Sequence, residues 1–467
     1  MKLSKKIAVA VAATALLGSA GLANPVQAGT ADNIVAGGAT FPQNLIESCR
    51  ATFPGDSTAN PLAATVNYTG VGSSTGRTNF YNNTYDFAMS DSMWSSSNSG
   101  YRSSFVWLPL ISGAINVAYR LDGVKPAGTV LQMTPATVAK IFAGTIKTWN
   151  DPAIKADNPV AAKPKLAGLN GAANFALAKK GTKAALTVSL KSSIVNKKTK
   201  NMVVTSSTDG GVTSKRVYNA KPKAGKVVVS LPYAVGTEYS ISYNNVVLGT
   251  VSIDATSVVL PSTPITVYHR KETSGTTNNF LNFLNKTVPA VWTTAAADAF
   301  GVPSGSLPTD GSFVGAQGND GVANGVMNKD GGIGYAEVSF VNERQVAGKS
   351  IASAKVMNGA GEFLAGSSAA AAKFVEAASV NDTTGVVTFD YATKAAGAYP
   401  ITAVSYAMAN TSANTNSANT AAKMLSAQRF VNYVLDTCAP AVGELKGYAA
   451  LPANIVAIAK TLAAKIK

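Results

Sequence analysis

Three turns rich in Gly, Ser and Thr, each joining a short apolar segment to a helical one, constrain this chain more than any other feature. The first is Gly37-Gly38-Ala39-Thr40-Phe41-Pro42, ahead of Gln43 to Arg50. The second is Gly70-Val71-Gly72-Ser73-Ser74-Thr75-Gly76, ahead of Arg77 to Tyr81. The third runs from Arg270 through Lys271, Glu272, Thr273, Ser274, Gly275, Thr276 and Thr277 into Asn278 to Leu284. A helix start leaves about four backbone N–H groups unpaired and carries roughly half a positive charge. Glycine lets an anion approach that backbone, and Ser or Thr hydroxyls add donors or cap the helix. One such turn is an ordinary helix cap. Three of them, with an arginine and the carboxylate of Asp91, describe a pocket for a small oxyanion.

Around these turns the chain reads as alternating strands and helices. Val66-Asn67-Tyr68 is a strand, Asp86 to Met89 is another ending at Ser90-Asp91, and Trp107 to Tyr119 is a longer apolar one. Thr134-Pro135 opens a helix that Gly144 stops, and Trp149 is a packing residue in the turn that follows. Ile265 to His269 is a strand into the third turn, and Gly332 to Tyr335 enters a further one. Ala369 to Ala378 reads as helix and Ile401 to Met408 as strand, and helices close the chain over Ala421 to Asp436 and Ala453 to Ile466. Such an order implies a mostly parallel sheet with ligand turns at the strand C-terminal ends.

Between Val160 and Ser262 the character changes. Short Val, Thr, Ser and Ile runs recur over Ala185 to Leu190, Met202 to Ser206, Val227 to Leu231, Tyr239 to Tyr243, Val246 to Ile253 and Thr256 to Leu260. Asn244-Asn245 is a hairpin signal between two of them, so this stretch is expected to be a small all-β, sandwich-like module. It also holds the charge. The stretch has 14 Lys and Arg against Asp209, Glu238 and Asp254, a net of +11. The chain total is +16, and Lys2, Lys5 and Lys6 account for 3 more, leaving about +2 elsewhere.

Those three lysines precede an apolar run, Ile7 to Leu22, and Val26-Gln27-Ala28 is a small-x-small site. Residues 1–28 therefore read as a signal peptide on an exported, periplasmic or extracellular protein, with neither a lipid-anchor cysteine nor a second long apolar span expected. The 439 residues after Ala28, out of 467, exceed a single core. Cys49 and Cys438 are the two cysteines, and export allows them to form a disulfide. No CxxC or His cluster offers a metal site, so neither metal nor cofactor is expected.

A tetrahedral oxyanion needs many donors. Thr40, the Phe41 N–H, Ser73, Ser274, the Gly275 N–H and Thr276 can supply them, and Arg270 adds a planar charged fork. Asp91 is selective, because a carboxylate tolerates an anion only if the anion donates a proton. Phosphate carries one at neutral pH and sulfate does not.

These residues resemble a known family, the periplasmic phosphate-binding proteins of phosphate ABC transporters. The resemblance lies in Gly38 to Pro42, Val66 to Ser74, Asp86 to Asp91, Ile141 to Gly144 with Ile146 to Trp149, and Arg270 to Thr277. Further along it lies in Gly318 to Gly321, Gly334-Tyr335, Tyr399 to Thr402 and Tyr448 to Pro452. It covers nearly all of the chain after the leader except the β module. It implies a two-lobed periplasmic-binding-protein fold, type II-like, with the all-β module inserted. Lobe I would comprise 29–116 and 402–467, lobe II 117–159 and 263–401, and the module 160–262.

The resemblance also implies inorganic phosphate as ligand and membrane permease subunits as partners, and no enzymatic activity. The phosphate ligands fall on Thr40, Phe41, Ser73, Asp91, Arg270, Ser274, Gly275 and Thr276. The family's acid two residues after the arginine is here Glu272, one methylene longer, which implies a looser restraint on Arg270. About the module's role the resemblance is silent. Its charge suits an anionic cell-surface polymer or lipid head groups, and its basic runs lack the aromatic interleaving of a nucleic-acid binder. A monomer is expected. Lone His269 reads as structural, and no nucleophile elbow or metal set supports a phosphatase.

Overall fold

The computed structural model describes residues 33–94, 104–125, 127–158, 161–180, 183–193, 200–208, 212–232, 236–256, 258–345, 351–412 and 420–467. The expected signal peptide lies outside them. The first lobe opens with β1 (Ile34–Gly38), α1 (Gln43–Thr52), β2 (Val66–Gly70), α2 (Ser73–Tyr81) and β3 (Phe87–Ser90). β1 pairs in parallel with both β2 and β3, so the turns after β1 and β2 leave the same sheet edge.

β4 (Phe105–Tyr119) follows, fifteen residues that are all buried. Its sequence lacks alternation because both faces are covered. Phe105 to Ala114 pair antiparallel with the late strand Thr402–Asn410, while Ile115 to Tyr119 pair with a strand of the second lobe. One continuous strand thus serves both halves of the molecule. The second lobe holds β5 (Gln132–Met133), α3 (Pro135–Phe142) and α4 (Pro152–Asp157) before the basic segment. The Thr134 hydroxyl accepts from the Thr137 N–H, and Gly144 has φ +74°, the expected start and stop signals of α3.

The basic segment is all β, as expected: β6 (Ala161–Ala167), β7 (Ala173–Lys180), β8 (Lys183–Leu190), β9 (Met202–Ser207), β10 (Lys215–Ala220), β11 (Lys226–Pro232), β12 (Glu238–Tyr243) and β13 (Val246–Thr256). One sheet has the order β10-β9-β12-β13-β6, and a second has β11-β8-β7. Leu186, Val188, Val204, Val229, Ile241 and Val251 are among the buried side chains of a core that belongs to this segment alone. Asn244 and Asn245 carry φ +51° and +63°, the left-handed pair that a tight hairpin demands. The expected strand Thr256 to Leu260 is corrected. β13 runs on to Thr256, and beyond it Val259 makes only an isolated bridge to Lys125. Three strands escaped the sequence reading, because β6 and β7 are rich in Ala and Lys, β10 opens on Lys215-Arg216, and none has a β-branched run. The segment's two ends meet, since the Trp149 N–H donates to Thr263 O at 3.0 Å and Ile265 N–H to Lys147 O at 2.9 Å.

The second lobe then resumes with β14 (Thr266–Arg270), α5 (Gly275–Thr287), β15 (Phe313–Ala316), α6 (Gly318–Asn328) and β16 (Gly332–Glu337). β14 is parallel to β15 and β16. The resulting ten-stranded sheet has the main order β15-β14-β16-β4-(402–410)-β3-β1-β2. It is parallel on each wing and antiparallel in the middle, where β4 meets Thr402–Asn410 and β16. Trp149 is fully buried and its indole N–H donates to Gly331 O, a packing role.

At the C-terminus, helix Ala421–Tyr433 ends three residues earlier than expected. A π-helical turn, Val434–Cys438, continues it and carries Cys438 against α1. Cys438 is bonded to Cys49, with Cα atoms 5.6 Å apart, so chain start and chain end are tied in the first lobe.

Candidate functional site

The three turns meet. A Cβ built on Gly275, the first residue of α5, would lie 2.6 Å from Ser73 Oγ and 2.7 Å from Asp91 Cβ. A Cβ on Gly72 would sit 3.0 Å from Thr273 O, and one on Gly70 3.0 Å from Thr40 Cγ2. Helix starts from both lobes therefore face each other at glycine-limited distance. Thr40, Ser73, Asp91, Arg270, Ser274 and Thr276 are all buried, and Arg270 is only 1% exposed.

Asp91 accepts from Ser405 Oγ at 2.6 Å and from Thr276 Oγ1 at 3.5 Å, a contact across the cleft. Its backbone N–H donates to Ser73 Oγ, and its carbonyl accepts from Asn279 Nδ2 at 2.6 Å. Burial pushes its carboxyl up to about 7, against the opposing pull of Ser405 and Arg270. Arg270 donates through Nε to Glu272 Oε1 at 2.6 Å, pairs with the same oxygen through Nη2, and reaches Thr276 Oγ1 through Nη1 at 3.2 Å. Glu272 is not the looser restraint expected. Its longer arm also accepts from the Gly318 N–H at 3.1 Å, tying the arginine to the start of α6. Ser274 caps α5 by accepting from the Thr277 N–H. The Phe41 carbonyl accepts from Tyr448 Oη at 2.7 Å, which fixes the peptide of the first turn.

A fourth turn belongs here and was missed as a site element. Gly318 has φ +67°, and the next residue, Asn319, donates from Nδ2 to Thr40 Oγ1 at 3.0 Å across the cleft. The string Gly318 to Gly321 was visible in the sequence, but nothing local says that its amide faces the first turn. Ser405 was missed too; its signal is a small hydroxyl side chain in the middle of an entirely buried strand.

Beside the site an ion pair bridges the lobes. Arg77 Nη2 meets Asp298 Oδ2 at 2.5 Å, and Ser74 and Ser92 hydroxyls donate to the same oxygen. Arg77 Nη1 is held by Ser90 and Ser92. Below the first turn lies Glu337, fully buried and without a cation. It accepts from Ser339 Oγ and the Ser339 N–H, its Oε2 lies 3.2 Å from Tyr448 Oη, and its own N–H donates to Asn319 Oδ1. Burial raises its carboxyl to about 8. His269 is structural: it stacks on Phe300 with centroids 4.6 Å apart, its Nδ1 lies 3.0 Å from Arg270 O, and burial lowers its pKa.

Among the described residues no group of three or more His, Cys, Asp and Glu could hold a metal ion, and no helix is long and apolar enough to cross a membrane. The arrangement is chemically a cage of hydroxyls, helix-start amides, one guanidinium and one carboxyl, which suits binding rather than bond-breaking.

Known proteins point the same way. The chain is 25% identical over 351 residues to the phosphate-binding protein PstS 2 of Mycobacterium tuberculosis, covering 74% of this chain and 63% of the relative. Over 152 residues it is 34% identical to the phosphate-binding protein PstS of Xylella fastidiosa, 32% of this chain and 37% of that one. The chain thus matches less than two thirds of the length of these curated relatives. Among solved structures, a DING protein superposes with TM-score 0.54 at 18% identity, covering 92% of this chain and 94% of the other. A high-affinity periplasmic phosphate-binding protein, PfluDING, bound with phosphate, gives TM-score 0.53 at 18% identity, with 92% and 93% covered. At that identity the likeness is one of fold. The family model described as the PBP superfamily domain matches residues 23–257 and 244–437, and the chain belongs to that superfamily.

Proposed function

We propose that this chain binds inorganic phosphate outside the cytoplasm and delivers it to the permease of an ABC transporter. The observation that carries this reading is the pairing of Arg270 and Asp91 in one buried cage, both touching Thr276 Oγ1 from opposite lobes. Arg270 supplies the charge that any oxyanion needs. Asp91 supplies an acceptor that only a protonated anion can satisfy, so phosphate is preferred over sulfate. Thr40, Phe41, Ser73 and Asp91 bind from lobe I (29–116 and 402–467). Arg270, Ser274, Gly275 and Thr276 bind from lobe II (117–159 and 263–401), with Glu272 holding Arg270. The relatives from Mycobacterium tuberculosis and Xylella fastidiosa are named phosphate-binding proteins, which supports the ligand.

Closure of the lobes shields the anion from water and presents one surface to the permease. The Arg77–Asp298 pair and the Asn319–Thr40 bond cross between the lobes and favour that closed arrangement. The protein acts as a monomer, exported after loss of residues 1–28, and performs no catalysis. Arg270→Ala tests the reading. Removing a charged fork from a desolvated cage costs about 3 kcal/mol or more, a hundredfold or greater loss of phosphate affinity by titration calorimetry. Wild-type affinity in that variant would remove the third turn from the site.

A further inference from the structure

We propose that the far end of the β segment is a membrane-docking tip for anionic lipid head groups. The inference is independent of the phosphate reading. Strand register fixes which end is which. Ala161 of β6 lies opposite Thr256 of β13, so the chain enters and leaves the segment at one end, its root. Seven residues of β6 at about 3.3 Å each place the other end roughly 20 Å from that root. The tip carries the ends or starts of β8, β9, β11 and β13, where Lys226 pairs with Ser189 and Met202 with Tyr243.

Exposed Lys191, Lys200, Lys223 and Lys226 all lie at this tip, and none makes an ion pair among the described residues. Among the described residues of the tip, 168–172, 191–193, 200–201, 221–226 and 244–247 hold no Asp or Glu. The described acidic positions, Glu238 and Asp254, stand on strand ends at the root, opposite Ser207 and Lys163. The root keeps basic residues of its own, with Lys215 opposite Ser206 and Lys180 opposite Lys183, but acids offset them there, so the positive charge is most concentrated at the tip, away from the binding lobes.

Charge alone fits a wall polymer as well as a membrane. The apolar residues decide for the membrane. Leu169, Val246 and Val247 protrude at the same tip, 49%, 55% and 52% exposed. They adjoin the lysines: Asn170 Nδ2 donates to Val247 O, the Lys191 N–H to Ala172 O, and the Leu190 N–H to Gly225 O beside Lys226. A soluble polyanion gains nothing from exposed Leu and Val. A lipid surface takes the lysines at its head groups and the aliphatic side chains at the acyl boundary.

The test is sedimentation of the chain from Gly29 onward with vesicles of phosphatidylcholine alone or with 30 mole percent phosphatidylglycerol, at about 0.1 M and 1 M salt. Binding is expected only to the anionic vesicles and to weaken at high salt. Replacing Lys191, Lys223 and Lys226 with Ser lowers partitioning on the order of a hundredfold, at about fivefold per lysine. Leu169→Ser with Val246→Ser and Val247→Ser lowers it about tenfold, yet leaves binding to soluble polyphosphate unchanged. Circular dichroism melting confirms that each variant is folded. No binding by the parent chain, or vesicle binding indifferent to the three apolar residues, overturns the proposal; the second outcome leaves a polyanion as the partner.

Discussion

Gly275→Ala is the sharpest perturbation of the closed cage. The added methyl falls 2.6 Å from Ser73 Oγ, 2.7 Å from Asp91 Cβ and 2.8 Å from the Asp91 carbonyl carbon. Two of these neighbours are rigid parts of Asp91, so the lobes themselves must give. Restoring the 3.4 Å of ordinary contact from the 2.7 Å at Asp91 Cβ moves α5 by about 0.7 Å from the first lobe. The Thr276–Asp91 contact stands at 3.5 Å already, and a further 0.7 Å abolishes it. Any anion held by both lobes loses at least two charge-assisted bonds at about 1.5 to 3 kcal/mol each, on the order of a hundredfold to ten-thousandfold in affinity. Ala favours a helix start more than Gly does, so the isolated lobe is not destabilised. Calorimetry is therefore expected to show a large loss of phosphate affinity while the melting temperature without phosphate falls by no more than a few degrees. Phosphate affinity within threefold of the parent would refute the claim that α5 and the first lobe clamp one anion.

Further outcomes follow from the buried carboxyls and the inserted segment. Asp91, raised to about 7, is charged above that pH and protonated below it. Sulfate binding is thus expected to strengthen as pH falls through about 7, because a protonated Asp91 donates to it. Asp91→Asn flattens that profile and erodes the phosphate preference, and an unchanged preference takes Asp91 out of the site. Glu337, raised to about 8 from 4.5, stabilises the fold fully below pH 4.5 and loses that contribution as pH rises through 8. Glu337→Gln is expected to be more stable than the parent at pH 9 by a few kcal/mol in urea unfolding, and an equal pH slope in both proteins contradicts this. Replacing Val160 to Ser262 by a short Gly/Ser bridge is expected to keep phosphate affinity within about threefold, since Ala161 pairs with Thr256 at the segment's root and the Trp149–Thr263 hydrogen bond holds the flanking chain without it. A tenfold loss would make the segment part of the binding unit.

Much of this was legible in the chain because it is written locally. Gly before a helix, Thr134-Pro135, Asn244-Asn245 and the unbroken apolar run of β4 each state their conformation within a few residues. Thr40, Phe41, Ser73, Ser274, Gly275 and Thr276 sit at or just before helix starts, where the turns put them, and Asp91 and Arg270 sit at strand ends. What stayed hidden is written across long separations. Ser405 is 314 residues from the Asp91 oxygen it serves, and Asn319 is 279 from Thr40. Arg77 pairs with Asp298, 221 positions later, a partner that nothing in its local sequence announces. Glu272 was misjudged for the same reason, since its reach is explained by the Gly318 amide and not by its neighbours. The Ala- and Lys-rich strands of the β segment were missed because their partners, rather than their own propensity, make them strands.

The central claim is that one buried cage selects a protonated oxyanion. Titration calorimetry of the chain from Gly29 onward at pH 8, with phosphate and with sulfate, tests it most directly. One phosphate per chain is expected at roughly micromolar affinity or tighter, with sulfate weaker by about a hundredfold or more. Equal binding of the two anions, or no phosphate heat up to millimolar ligand, would contradict it.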